Sequence, residues 1–188
     1  MQINIPNVLT WLRILAIPLV VGVFYLPAGW LTGSEQNQLA TLLFVLAAIT
    51  DWLDGWLARK LDQQSAFGAF LDPVADKLMV AAALIVLVHL DRCHALIALI
   101  IIGREIAISA LREWMAQLGQ GKSVAVNALG KIKTIVQMVA IPLLLFHDDF
   151  LGLFVAQALG DWFIWAAAIL TLVSMAYYLK AALPMLKR

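Results

Sequence analysis

The chain has 188 residues, of which 63% are hydrophobic and 13% are charged, and its formal net charge at pH 7 is +1. This composition leaves too little polar surface for a water-soluble domain of the same length, so that class of protein is excluded. The single cysteine, Cys93, also excludes a disulfide framework or a cysteine-rich metal site within one chain. We therefore expect most of the chain to be dissolved in a lipid bilayer.

Six apolar stretches, separated by short polar segments, predict an all-α fold with six transmembrane helices, because about 20 residues are needed to cross about 30 Å of hydrocarbon. Linkers, internal repeats and low-complexity tracts are absent from the sequence, so residues 1–188 are expected to form a single domain. The start, MQINIPNVLT, lacks the pattern of a cleaved signal peptide, and the first span is expected to be retained. The predicted spans are Val8–Leu31, Leu39–Leu57, Phe70–Leu90, His94–Met115, Gly130–Phe146 and Asp161–Leu179.

The distribution of basic residues predicts how the spans are oriented. Six spans place both termini on one side, and nearly all lysines and arginines fall on that side, while Arg92 falls on the other. By the positive-inside rule, the basic side is cytoplasmic. The histidines His89, His94 and His147 fall at the outer ends of their spans, where they are expected to be interfacial side chains rather than catalytic groups.

Acidic residues interrupt the second predicted span near its cytoplasmic end. Ionisable side chains inside apolar helices are energetically costly, so they point to a function by default. One stripe of this helix carries two acidic and two small residues, namely Asp51, Asp54, Gly55 and Ala58. Arg59 closes the helix.

The third predicted span carries Asp72 and Asp76 four residues apart on one face, and Gly68 lies one turn before them. The segment from Lys60 to Phe67 is short and polar, which predicts a cytoplasmic turn between two antiparallel neighbouring helices. The four aspartates of the two spans can then converge.

Four converging carboxylates need counter-charge, because like charges raise each other's pKa in a low-dielectric setting. Divalent cations would supply it, and oxygen ligands without histidine or thiolate favour Mg²⁺ or Mn²⁺ over Zn²⁺. Mg²⁺ commonly takes further oxygens from substrate phosphates, so a phosphate-bearing substrate is expected. Two such ions would stabilise both the attacking and the leaving oxygens of a displacement at phosphorus.

Single parts of this pattern have simpler interpretations. Glycine and alanine at three- and four-residue spacing also occur where membrane helices pack closely. Asp72 followed by Pro73 could be a helix N-cap with proline at the first helical position. The combination of four carboxylates on adjoining apolar helices has no comparable structural explanation, and it favours a catalytic centre.

These residues resemble, at every fixed position, the signature of the CDP-alcohol phosphatidyltransferase family, which reads here Asp51-x2-Asp54-Gly55-x2-Ala58-Arg59-x8-Gly68-x3-Asp72-x3-Asp76. The segments NIPNVLTWLR, DPVADK, GREIAISALREW and GKIKT are similar to bacterial members that use glycerol 3-phosphate. The resemblance implies a bacterial inner-membrane enzyme, homodimeric and surrounded by lipid, that transfers the phosphatidyl group of CDP-diacylglycerol to glycerol 3-phosphate and releases CMP. Nucleic acid is not an expected partner.

The resemblance also implies roles for individual residues. Asp76 would act as the general base on the acceptor hydroxyl. Two divalent cations, Mg²⁺ or Mn²⁺, would be bound by Asp51, Asp54, Asp72 and Asp76. The CDP moiety would be held by Gly55, Ala58, Arg59, Ser65 and Gly68.

Polar residues of the first helix could extend the nucleotide site. Asn7, Thr10 and Arg13 share about a third of the helix circumference. They could contact CDP, or they could serve only to orient the span in the membrane, and the sequence leaves both interpretations open.

An acceptor with its own phosphate needs a second positive site, which the fourth and fifth spans could supply. The candidates are Arg104, Arg112, Lys131 and Thr134. Glu105 is expected mainly to orient Arg112. Lys122 and Lys133 are expected only to enforce topology or to meet anionic headgroups.

Two other functions are compatible with parts of the pattern. A transferase of the same family could use inositol, inositol phosphate, serine or a second phosphatidylglycerol as acceptor. A divalent-cation transporter would also carry carboxylates inside a bundle, although nearer the middle of the bilayer.

Overall fold

Six α-helices account for nearly all of the computed structural model, which describes residues 5–60, 66–117, 128–150 and 154–186. The helices are α1 (Ile5–Gly22), α2 (Gly33–Lys60), α3 (Ala66–His89), α4 (Ala95–Gln117), α5 (Ala128–Phe146) and α6 (Ala156–Leu186). Two short strands, β1 (Asp149–Phe150) and β2 (Phe154–Val155), pair antiparallel between α5 and α6. The predicted six-helix, all-α fold is confirmed.

The first connection differs most from the predicted boundaries. α1 ends at Gly22 and continues only as a 3₁₀ turn over Val23–Tyr25, so it does not extend to Leu31. α2 begins at Gly33 rather than Leu39. The reason is a reciprocal cap, in which the Thr32 amide donates to Glu35 Oε2 at 2.7 Å and the Glu35 amide donates to Thr32 Oγ1 at 3.3 Å.

Polar and apolar side chains are distributed as expected for a protein in lipid. Large apolar residues such as Leu15, Leu99 and Ile169 are exposed on the outside of the bundle. Among the described residues, the buried polar side chains are Asn7, Thr10, Arg13, Asn37, Arg104, Lys133, Gln137, Thr171 and Ser174. Buried charges require partners and point to a function, so these residues locate the interior sites of interest.

Two helices are long and apolar enough to cross a membrane by length and composition, within the described part of the chain. They cover Asn7–Tyr25 in α1 with its 3₁₀ turn and Ala156–Lys180 in α6. Helices α3 and α4, with 24 and 23 residues, are also long enough, but each carries several charged residues, among them Asp72, Asp76, Arg104 and Glu105.

Helix packing places α1 at the centre of the candidate site. α1 contacts both α2 and α3 extensively, whereas the direct contact between α2 and α3 is small among the described residues. In that part of the chain, the predicted neighbourhood of the second and third spans is formed mainly through α1. On the other side of the bundle α5 packs closely against α6, with Gly160 of α6 beside the fully buried Leu144.

The three histidines lie near one end of the bundle, as predicted. His89 is the last residue of α3, His94 precedes α4 and His147 follows α5. The His89 ring stacks on Tyr25, with 5.7 Å between ring centroids. Arg92 at this end donates to the Leu145 carbonyl oxygen at 2.9 Å, so it caps the C-terminus of α5.

Candidate active site

Side chains from α1 contact Asp51, Asp72 and Asp76, the predicted aspartates whose side chains the structure describes. Thr10 Oγ1 donates to Asp72 Oδ1 at 2.5 Å. Arg13 Nη1 lies 2.9 Å from Asp51 Oδ1 and 2.5 Å from Asp76 Oδ1. Carboxylates from α2 and α3 thus meet at one face of α1.

The spacing of α1 explains why these side chains point inward. Asn7, Thr10 and Arg13 recur every three residues, so they fall on one side of the helix, and they are 7%, 1% and 2% exposed. The neighbouring Leu12 and Leu15 are exposed instead. A guanidinium buried to this degree requires ionic partners, which Asp51 and Asp76 provide. Arg13 therefore does more than orient the first span.

Several predicted nucleotide-binding residues lie where no side chain is described. The backbone of α2 includes Asp54, Gly55, Ala58 and Arg59, but their side chains fall outside the described part of the structure. Ser65 lies outside the described residues altogether. Gly68 is described and buried in the first turn of α3. The roles of these residues stay predictions.

The alternative interpretation of Asp72 as a helix cap is wrong. Helix α3 begins at Ala66, so Pro73 lies inside the helix rather than at its first position. Asp72 instead projects from the second turn of α3 and accepts the hydrogen bond from Thr10.

A cavity of about 360 Å³ connects the carboxylates with the fourth and fifth helices. Arg13, Asp51 and Asp76 line its acidic end, and Arg112 and Thr134 line the other part. Its apolar wall includes Phe44, Val80 and Met138. The cavity thus offers both oxygen ligands and a cation to a single bound molecule.

Two of the four predicted acceptor residues do not line this cavity. Arg104 turns towards α6, where its Nη2 donates to Ser174 Oγ at 2.9 Å and its guanidinium carbon lies 5.6 Å from the Tyr178 ring centroid. Lys131 is exposed on α5. Arg112 and Thr134 are the predicted acceptor residues that the fold brings to the cavity.

Lys133 is a buried cation whose position the sequence analysis missed. Its side chain is 1% exposed and forms an ion pair with Glu105, which lines the cavity. The expectation that Lys133 reaches only the membrane surface is therefore wrong. The spacing on α5 could have indicated this burial. Lys133 is two residues after Lys131, a rotation of about 200° around the helix, so it lies opposite that exposed lysine. It is four residues before Gln137, which is buried on the same face.

Glu105 also differs from its expected role. Among the described residues its ion pairs are with Lys133 and with Arg104, whose Nη1 lies 3.4 Å from Glu105 Oε1. It therefore links α4 to α5 and does not pair with Arg112.

The chemistry of the aspartates fits hard divalent cations. Asp51, Asp72 and Asp76 offer only oxygen ligands, and the last two lie one turn apart on α3. Asp51 and Asp76 are 43% and 45% exposed, so both are accessible from the cavity. In the described part of the chain no three acidic, histidine or cysteine side chains are already gathered closely enough to hold an ion. Arg13 lies between two of the carboxylates instead.

Comparison with known proteins identifies the family. The profile of the family described as CDP-alcohol phosphatidyltransferase matches residues 3–173. Proteins named CDP-diacylglycerol–glycerol-3-phosphate 3-phosphatidyltransferase are similar over 97% of this chain and 96% of their own length. Identity is 48% for the proteins from Salmonella choleraesuis (strain SC-B67) and Escherichia coli (strain K12), and 49% for the one from Shigella flexneri serotype 5b (strain 8401). The chain therefore belongs to the CDP-alcohol phosphatidyltransferase family.

Proposed function

We propose that this protein transfers the phosphatidyl group of CDP-diacylglycerol to sn-glycerol 3-phosphate, giving phosphatidylglycerophosphate and CMP. The observation that carries the proposal is that Asp51, Asp76 and Arg112 line one cavity, in a chain of this family. The names of the similar proteins support glycerol 3-phosphate as the acceptor.

Asp76 is the proposed general base. Its carboxylate lines the cavity and is held in place by Arg13 Nη1 at 2.5 Å, which leaves its accessible side for the acceptor hydroxyl. The hydroxyl oxygen attacks the β-phosphorus of CDP-diacylglycerol as Asp76 takes the proton. The bond from that phosphorus to the bridging oxygen breaks, and CMP leaves with the electron pair.

Two divalent cations, Mg²⁺ or Mn²⁺, are part of the proposal. The residues that would hold them are Asp51, Asp54, Asp72 and Asp76, whose oxygens suit hard cations. When bound, the ions supply positive charge to the phosphate oxygens of the reaction. Thr10 orients Asp72, and Arg13 orients Asp51 and Asp76.

The part of the cavity lined by α4 and α5 is the proposed acceptor site. Arg112 offers a planar, permanently charged group for the phosphate of glycerol 3-phosphate. Thr134 lines the cavity beside it. Lys133 forms an ion pair with Glu105, which also lines the cavity. Inositol, which carries no charge, and serine, whose carboxylate is balanced by its own ammonium group, would offer no phosphate to Arg112.

The excess of lysine and arginine at the end of the bundle that carries the cavity supports a cytoplasmic active site with both termini on that side. Soluble glycerol 3-phosphate would then reach the cavity directly, while the acyl chains remain in the bilayer. Pairing of two copies stays a prediction from the family resemblance.

The test is release of CMP by purified protein from CDP-diacylglycerol in the presence of Mg²⁺, with glycerol 3-phosphate, inositol phosphate, inositol and serine compared as acceptors. We expect release to depend on glycerol 3-phosphate and to fall at least about a hundredfold in Asp76→Asn, the scale of general-base catalysis. Release with a different acceptor would refute the substrate assignment. Full activity of Asp76→Asn would refute its role as base.

A further inference from the structure

One nitrogen atom of Arg13 contacts the two carboxylates that face each other across the acidic end of the cavity. Arg13 Nη1 is 2.9 Å from Asp51 Oδ1 and 2.5 Å from Asp76 Oδ1, and the arginine side chain is only 2% exposed. Among the described residues α2 and α3 contact each other little, so in that part of the chain this contact through α1 is a main connection between the two aspartates. The guanidinium thus supplies the charge that keeps them together.

The carboxylates of Asp51 and Asp76 are also the groups expected to bind a divalent cation. Arg13 cannot remove its charge by losing a proton, because arginine stays charged at any ordinary pH. A divalent cation at these carboxylates would therefore lie close to the Arg13 charge, and the two cations would compete for the same pair of anions. Competition of this kind is reciprocal, since a change that weakens the contact of Arg13 with the carboxylates strengthens their binding of the metal ion, and the converse also holds.

We propose that Arg13 is an exchangeable counter-cation of the metal site. It holds Asp51 and Asp76 together when no metal is bound, and it gives up at least one of these contacts when a divalent cation binds. The inference rests on the metal dependence in the proposed function. It makes Arg13 a positioning residue that lowers the affinity for metal and that couples metal binding to the contact of α1 with α2 and α3.

The test is Mn²⁺ binding to the chelator-treated, full-length protein, followed by electron paramagnetic resonance of the free ion. Arg13→Gln removes the competing charge and keeps a polar side chain. We expect its dissociation constant for Mn²⁺ to fall about tenfold, within the usual range of coupling between two sites. Its Tm in chelator should fall below that of the unsubstituted protein, and the rise in Tm on adding Mn²⁺ should be larger.

Lys77→Gln is the matched control, because Lys77 is another cation lining the same cavity. Among the described residues Lys77 forms no ion pair with either carboxylate and acts on Asp76 only through a longer-range charge interaction. We therefore expect the Mn²⁺ affinity of Lys77→Gln to stay within about twofold of the unsubstituted protein. Arg13→Lys is the second variant, for use if Arg13→Gln does not fold. Lysine lacks the planar fork, so a tightening of a few-fold is expected.

Three results would overturn the inference. Unchanged or weaker Mn²⁺ binding in Arg13→Gln, or in Arg13→Lys if only that variant folds, would show that no exchange occurs. Equal tightening in Lys77→Gln would show a general effect of charge instead of competition by Arg13. Absence of Mn²⁺ binding to the unsubstituted protein would overturn the metal dependence together with the exchange, whereas the other two results leave the proposed function intact.

Discussion

Glu105→Leu is expected to destabilise the protein, because it leaves the Lys133 ammonium buried without its carboxylate. Lys133 is 1% exposed and Glu105 is 20% exposed. Removing one partner of a buried ion pair costs about 3–5 kcal/mol, and the opening of Glu105 onto the cavity favours the lower value, about 3 kcal/mol. For a chain of this length about 1 kcal/mol corresponds to about 2–4 °C in Tm, so we expect a fall of roughly 6–12 °C.

The assay is thermal unfolding of the detergent-solubilised protein, followed by tryptophan fluorescence. Lys133→Met should cost less, about 1–3 kcal/mol, because the remaining Glu105 keeps Arg104 Nη1 at 3.4 Å and access to the cavity. The double variant should then be more stable than the sum of the two changes predicts, by about 0.5–3 kcal/mol.

Exposed residues on the same helices provide the controls. Glu113→Leu on α4 removes a negative charge, as Glu105→Leu does, and Lys131→Met on α5 removes a positive charge, as Lys133→Met does. Both controls are at exposed positions, where changes of about 0.5 kcal/mol in stability are usual. A Tm for Glu105→Leu equal to that of Glu113→Leu would refute the reasoning. Strict additivity in the double variant would refute the ion pair as the cause.

Three further predictions concern the outer end and the packing of the bundle. Gly160→Ala should lose about 1–3 kcal/mol of stability in thermal unfolding, because the added Cβ would lie 2.8 Å from Leu144 Cγ. The control Gly103→Ala should lose none, because an added Cβ there would have nothing within 4 Å. Equal effects of the two changes would contradict the close packing of α5 on α6. Burial raises the pKa of the Cys93 thiol to about 11, so maleimide labelling at pH 8 should be at least about tenfold slower than in detergent-denatured protein, and equal rates would refute it. Arg92→Ala removes the donor to the Leu145 carbonyl oxygen and should speed amide hydrogen exchange in the residues that follow Leu145 at the end of α5. No change is expected at the start of α5.

The sequence predicted which aspartates lie together better than it predicted their surroundings. The helical spacing of Asp51, Asp72 and Asp76 is a local property, and it placed them on the faces that the fold brings together. Which helix would bridge them is a matter of packing, so the contacts of Thr10 and Arg13 could be suggested from their shared face but not established.

The basic residues show the opposite case. Lysine residues near helix ends usually orient a span, and the role of Lys133 was predicted from that general tendency. Its spacing along α5, which puts it on the buried face, indicates a different role. Arg104 was expected to meet the acceptor phosphate, but its partners Ser174 and Tyr178 come from α6, a helix far away in sequence. The start of α2 was misplaced because a cap between Thr32 and Glu35 extends the helix through polar residues.

The central claim is transfer of the phosphatidyl group to glycerol 3-phosphate at the site formed by α1, α2 and α3. Its most direct test is incorporation of labelled glycerol 3-phosphate into extractable lipid by the purified protein in liposomes containing CDP-diacylglycerol, with Mg²⁺ and then with excess chelator. We predict labelled phosphatidylglycerophosphate with Mg²⁺, equimolar CMP, and neither product with chelator or in Asp76→Asn. Folded protein that forms no labelled lipid under these conditions would contradict the account.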